Sequence, residues 1–448
     1  MMPRILPILL AVILSGCVAY TPAPLDPAVV LQQQAAAAID ENAVSDEIGR
    51  IAPAIQWDGK HWDRLSLLAA ALIGNAEIAQ ARSSVTALEA EAKAAGVAPG
   101  YSLTLTTEYA FNAPEASPWL LGVAGDFPLD TGTRRAARIG IAELNARIAL
   151  FDYLDTTWSV RSGIRRALAE YLLARREALL AAELAELDRR QVSAMERRLA
   201  AGAASHADIE RVRLAAAANL QRLSDAEARV ATAQLQLSAA VGVAAAALDP
   251  SALDWPAVDA PRSLSGQLPS NCLDQALLAR PDVARASRNY DKAEQALRAA
   301  VASQYPALHL GPGYTWERGL KKLPFALGLS MPSLDFNHAA IASAEAQREQ
   351  AGRALEAVVA AARNGIELAQ SDYRAAWVQL DRARQQSQIA SRLATQADSA
   401  FRAGAADRLE WSAAQSGRLT ATLDELAAVR NVRAAEASLE DALRRPLE

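Results

Sequence analysis

The sequence predicts a mainly α-helical chain with a small membrane-type β part, written as a tandem repeat. Three observations predict it. The apolar share is 51% but aromatics make up 5%, and alanine dominates. Two stretches of more than a hundred residues, Leu129 to Asp249 and Ser333 to Arg445, contain no proline. Four short segments alternate large apolar with small or polar side chains. Alanine has the best helix propensity and little bulk, so such a composition suits long, closely packed helices.

The first residues form an address. Arg4 supplies a positive start and Ile5 to Leu14 an apolar run of about ten residues, against about 20 needed to span a bilayer. That run fits a secretory leader over residues 1–16. Leu14-Ser15-Gly16-Cys17 resembles the bacterial lipoprotein signal, in which Cys17 becomes a lipidated N-terminus; the other reading is an ordinary leader beside an incidental cysteine. Val18, where an Asp would favour inner-membrane retention, points to the outer membrane. A lipid anchors without spanning. Residues 17–61 then form an N-terminal periplasmic segment.

The rest is written twice. Arg161, Gly163, Ile164 and Tyr171 recur as Arg363, Gly365, Ile366 and Tyr373. Ala201 to Ala204 recurs as Ala403 to Ala406, and Val230, Ala233 and Leu237 as Val432, Ala435 and Leu439. Internal repeats of this kind decide the architecture. The first covers 62–248, a proline-containing linker 249–270, and the second 271–448. Each repeat reads helix, two strands, very long helix, turn, helix.

Thr133 to Ala200 predicts a helix of about 100 Å. A 3-4 spacing runs through Ala146, Leu150, Tyr153, Thr157, Val160, Ile164, Ala167, Tyr171, Ala174, Ala178 and Ala181. Leu168, Leu172 and Leu179 add a second flank, while Arg165, Arg166, Arg175, Arg176, Arg189 and Arg190 interrupt the apolarity. Two seams imply neighbours on two sides, as in a cylinder of helices; a two-stranded coiled coil needs one.

The alternating segments lie near 101–111, 118–128, 306–317 and 324–332. Leu103, Leu105, Tyr109 and Phe111 oppose Ser102, Thr104, Thr106 and Glu108, and the other three follow suit. Each has about the length of a tilted transmembrane strand, with aromatics near the ends. Two soluble hairpins lying on the helices are the alternative. Backbone groups in lipid must all pair, so membrane strands close into barrels of about eight strands or more. Four strands per chain therefore require oligomers: two copies give eight strands, three give twelve. A filled eight-stranded barrel would conduct nothing, which favours three.

Together these features resemble the TolC-like outer-membrane efflux proteins over nearly the whole mature chain. Ala71-Leu72 with Asn75 and Ile78 resembles the AL-x-x-N opening of that family's first repeat. Leu277 to Val283 resembles its LLxRPD opening of the second, and Tyr305-Pro306, Pro332 and Leu334-Asp335 fit as well. The resemblance implies a homotrimer: a twelve-stranded membrane β-barrel continuous with a twelve-helix periplasmic α-barrel. It implies work with an inner-membrane pump and a periplasmic adaptor as exit duct of a tripartite efflux system. No cofactor is expected beyond the lipid on Cys17.

Gly202 and Gly404 are then the periplasmic tips. Glycine permits the tight helix end, Ser205 and Asp407 are N-cap candidates, and Asp208 sits in a first turn where the helix dipole favours a carboxylate. Good capping alone explains these residues. The resemblance adds a gate role for Asp208, Phe401, Asp407 and Glu410. Glu410 falls where the family's gate has an acid, but Ala413 replaces the second acid, Phe401 a gating tyrosine and Ala406 a gating arginine. Closure then rests on Arg402 or Arg408, or is weaker than in relatives.

Other classes fit poorly. The net charge of −5 includes no basic block, which disfavours nucleic acid. Two cysteines and four scattered histidines (His61, His206, His309, His338) make no disulfide framework, metal spacing or catalytic order, so an enzyme is not expected. A non-porous coiled-coil spacer lipoprotein is the main rival, but has no use for the strands. Phe127 to Arg135 faintly resembles the metal-efflux branch; four methionines give no soft-metal route.

Overall fold

The structure is a computed structural model and describes residues 18, 20–36, 38–111, 117–129, 133–261, 263, 277–317 and 319–447. The leader, Cys17, Cys272 and the second half of the linker lie outside the described residues. In chain order come α1 (Pro27–Ala36), α2 (Glu41–Ile51), α3 (Arg64–Gly74), α4 (Ala76–Ala95), β1 (Ser102–Tyr109), β2 (Trp119–Leu129), α5 (Thr133–Ala200) and α6 (His206–Val241). After a short 3-10 turn follow α7 (Pro281–Ala302), β3 (Ala307–Glu317), β4 (Leu320–Lys322), β5 (Phe325–Ser330), α8 (His338–Arg402) and α9 (Arg408–Leu443). The chain is mostly helical with one small antiparallel sheet.

The 68-residue α5 is the spine, packing on α4, α6, α7 and α9. The expected seam is its buried side: Val160, Ile164, Ala167, Tyr171, Ala174 and Ala181 are covered, whereas Leu150 and Leu179 point outward. In the half away from the sheet the helices lie side by side in the order α6, α5, α9, α8. The outer two are left with exposed apolar side chains: Leu214, Leu220 and Leu235 on α6, and Leu368, Val378, Ile389 and Leu393 on α8. Nearer the sheet, α4 and α7 both lie against α5, and α7 also against α8.

Of the arginines that interrupt the apolarity of α5, Arg165 is buried at 3%, against Glu436 and Glu440 of α9 at 1% each. Its guanidinium lies 3.2 Å from Glu436 and 3.0 Å from Glu440, and Arg433 reaches Glu436 at 2.8 Å. Arg165, Arg433 and Arg64 all stand over the Trp255 ring, within 5.5 Å of its centroid. Buried ion pairs add little net stability, because desolvation offsets their attraction, but breaking one is strongly destabilising. This cluster therefore fixes the register of α5 against α9. The segment that brings Trp255 is the first half of the linker, clamped by Trp62 N–H donating to Ala252 O (2.8 Å) and Asp254 N–H to Trp62 O (3.0 Å).

The two sequence openings perform the same task in each half. Asn75 ends α3, caps α4 by accepting from the Glu77 and Ile78 amides, and donates from Nδ2 to Ala240 O in the last turn of α6 (3.2 Å). Arg280, with Pro281 starting α7, donates to Ala442 O in the last turn of α9 and is held by Asp282 at 2.7 Å. Burial pushes the Asp282 carboxyl up, but Arg280 outweighs it and holds the group below the usual carboxylate range. Each closing helix then ends in left-handed backbone, at Gly242 (φ +86°) and Arg444 (φ +49°).

The sheet order is β1-β2-β3, with β4 and β5 both pairing on the far side of β3. β4 and β5 keep one register along β3, so they are a single strand broken at Leu323-Pro324; the sequence suggests only its second piece. The registers set Leu105 beside Val123 and Val123 beside Tyr314, then Phe127 beside Leu310 and Leu310 beside Leu327. All four alternations thus fall on one apolar face. The other face carries Thr104, Thr106, Gly122, Ala124, His309, Gly311, Gly313 and Gly328. Tyr101 stacks on Phe127 at one end of β1–β2 (5.3 Å), and Tyr109 meets Trp119 at the other (4.9 Å). At about 3.4 Å per residue the two aromatic groups stand about 27 Å apart.

Candidate functional site: the tips and the sheet

Both tips are built on one local plan. At the first, Gly202 takes φ +71°, its N–H donating to Leu199 O (2.9 Å) and that of Ala203 to Arg198 O (2.8 Å). At the second, Gly404 takes φ +73°, and the Gly404 and Ala405 amides donate to Phe401 O (3.1 Å) and Ala400 O (2.8 Å). These are paired Schellman ends, which satisfy otherwise orphaned carbonyls and need a left-handed residue. Ser205 then caps α6, and Asp407 caps α9 by accepting from the Glu410 amide (2.8 Å).

The tip carboxylates differ in how committed they are. Asp208 accepts from Ser205 Oγ at 2.6 Å and from its amide at 3.2 Å, and pairs with Arg211 at 3.0 Å. Hydrogen bonds from Ser205, with Arg211 behind them, hold its carboxyl below the ordinary range. Glu410 lies on the opposite side of α9 from Arg408, in a groove lined by Ala397, Ala400, Ala413, Ala414 and Gly417. Leu393 and Gln396 also line that groove. Phe401 packs on Trp411 (5.8 Å), whose Nε1 donates to Asp398 (3.1 Å), so the ring joins the end of α8 to the start of α9.

The arginines suggested for closure divide. Arg402 is taken up by Asp398 on its own helix (2.8 Å). Arg408 forms no ion pair among the described residues and lines a groove of about 370 Å³ between α5 and α9 with Arg190, Arg197, Arg198, Met195 and Trp411. The link between the two tips is Arg198 to Asp407 at 3.9 Å, which sequence reasoning missed because Arg198 lies outside every motif.

No helix among the described residues is long and apolar enough to cross a membrane. The apolar sheet face is exposed: Leu103, Leu105, Phe325, Leu327 and Leu329 are all more than half accessible. On the small-residue face His309 lies between two strands. Its Nδ1 is 3.1 Å from Asp126 of β2 and its Nε2 is 3.3 Å from Ser330 Oγ of β5.

Long helices ending in matched turns, with a sheet of one apolar and one small-residue face, make up the architecture of the chain. The sequence matches the model of the family described as Outer membrane efflux protein twice, over residues 67–243 and 272–443, and the chain belongs to that family. Among solved structures it resembles the outer-membrane channel OprN, with a TM-score of 0.71 and 19% identity over 96% of this chain and 98% of that one. It resembles VceC from Vibrio cholerae with a TM-score of 0.67 and 18% identity, over 86% and 97% of the two chains. The open-state MtrE channel of Neisseria gonorrhoeae gives a TM-score of 0.69 and 17% identity, over 85% and 89%. At these identities the likeness is one of fold. No curated protein matches the chain.

Proposed function

We propose that three copies form the outer-membrane exit duct of a tripartite efflux pump, receiving substrates from an inner-membrane transporter through a periplasmic adaptor. In this reading a tandem repeat gives each copy four strands and four tunnel helices, hence a twelve-stranded barrel above a twelve-helix tunnel. Cys17 carries the lipid, and Gly202 and Gly404 turn the chain at the periplasmic end. A non-porous spacer has no use for the apolar sheet face.

One observation carries this reading: among the described residues, both layers of the chain are unclosed on both flanks. The helix layer ends in α6 and α8 with exposed leucines, and the sheet ends in β1 and β5 with unpaired edges. An apolar sheet with free edges is an aggregation hazard in water and is forbidden in lipid unless it closes. Copies of the same chain close both layers at once. Counted from the helix ends at the tips, Leu214 and Leu220 of α6 stand within about one residue of the heights of Leu393 and Ile389 of α8, so a neighbour's α8 meets α6 through these apolar side chains.

Oxidising a Leu214→Cys/Leu393→Cys double variant should give a disulfide-linked trimer on non-reducing gels, and the protein should need detergent and conduct in bilayers. A detergent-independent monomer without channel activity would refute the duct.

A further inference from the structure

On the duct reading, we infer that the His309–Asp126 pair sets the charge selectivity of the lumen at the helix-side end of the strands and makes it depend on pH. The small-residue face, which lines the lumen in that reading, otherwise carries Gly, Ala, Ser, Thr and two prolines along most of its height, Pro128 standing opposite His309 on β2 and Pro324 opposite Gly313. His309 is its bulkiest side chain there. Gly328 lies directly opposite on β5, where a Cβ would come within 3.2 Å of the His309 Cβ. The missing side chain lets the ring lie across the sheet between its two diagonal partners.

Both ring nitrogens are occupied in a way that tolerates a change of charge. Nδ1–H donates to the Asp126 carboxylate in either protonation state. Nε2 accepts from the Ser330 hydroxyl when the ring is neutral, and donates to the same oxygen when it is protonated. The hydroxyl rotates, so the ring stays in place while its charge changes. Among the described residues Asp126 is the titratable group facing it from β2; β5 offers Ser330, and Ser102 of β1 lies opposite Asp126. Glu108, Glu317 and Lys322 stand at the far end of the strands, where Lys322 donates to Glu317.

Imidazole is the side chain that changes charge across the range pH 5 to 8. With the ring protonated the pair is neutral; with the ring neutral, Asp126 stands as an uncompensated negative charge, once per copy around the lumen. Like charges on the wall of a narrow pore concentrate counter-ions. Acid conditions outside the cell would thus relax the preference for cations, and neutral conditions restore it.

The test is the reversal potential of the purified full-length protein in planar bilayers under a potassium chloride gradient. In the wild type the cation-over-anion permeability ratio should rise about two- to threefold between about pH 5 and about pH 8. His309→Asn, which keeps a donor for Asp126 but no charge change, should hold the high ratio at both values. Asp126→Asn should hold the lower ratio at pH 8 and lean toward anions at pH 5. His206→Asn at the first tip and His338→Asn at the start of α8 should leave the wild-type pH dependence in place. A ratio that ignores pH, or a pH dependence lost in His206→Asn or His338→Asn but kept in His309→Asn, overturns the inference. Absence of conducting steps in every protein would instead refute the duct itself.

Discussion

Gly242 and Arg444 occupy the same place in the two halves, and the difference between them is instructive. Both have left-handed backbone, but a Cβ on Gly242 would sit 2.8 Å from the Asn75 Cα, whereas one on Gly404 would meet nothing within 4 Å. Gly404→Ala should therefore lose about 1–2 kcal/mol, the left-handed penalty alone. Gly242→Ala should lose more, because the hook from Asn75 must shift as well; denaturant midpoints with unchanged slopes would check the order. Asp208 makes a pH prediction. Its carboxyl is held below its unfolded value, so its contribution is present above the ordinary carboxylate range and lost as pH falls through the depressed folded value. Amide exchange at Asp208 and Ile209 should accelerate there, and Asp208→Asn should remove the change. The caps were readable because Gly, Ser and Asp act on their own backbone neighbours. Arg165 was not, since its burial depends on Glu436 and Glu440, far away in sequence.

Among the elements, the strands were legible as alternations, and the registers supplied what alternation cannot: which alternations share a face. The breaks were less legible. Pro324 interrupts the last strand after Leu320–Lys322, and three residues are too few for a periodicity to register. Placing Arg at Leu327, in the middle of the apolar face, should destabilise the folded protein by about 2–4 kcal/mol, whereas Arg at Thr106 on the small-residue face should lose much less. Equal yields of folded oligomer from the two variants would refute the orientation. The spine α5 was read to its bounds because nothing in it stops a helix, yet which of its leucines face out was not, since Leu150 and Leu179 fit the same spacing as their buried neighbours.

For the whole molecule, the proposed lipid on Cys17 and the sheet make separate demands. Cys17→Ser should lose labelled palmitate yet remain in the outer membrane fraction, because a closed barrel is itself an anchor; release as a soluble periplasmic protein would count against the barrel. At the other end, Glu410→Ala should weaken cation selectivity and block by di- or trivalent cations, with Asp208→Ala acting less because Ser205 and Arg211 already engage that carboxylate. Unchanged recordings would leave Glu410 an ordinary surface acid. The mainly helical class with its small sheet was legible because each weak pattern occurs twice in the sequence. The contacts between the halves were not, because Arg198 with Asp407 and Arg165 with Glu440 leave no periodic trace.

The hooks from Asn75 to Ala240 and from Arg280 to Ala442 carry a consequence for biogenesis. Each reaches the last turn of a helix within its own half, so each half can fasten head to tail without the other. A chain threaded into the periplasm N-terminus first would have its leading half fastened while the trailing half is still in transit. The apolar sheet face, by contrast, spans β2 and β3 from different halves and reaches its full width only after the second has arrived. Export order would thus keep the widest part of that apolar surface unmade until the whole chain is across.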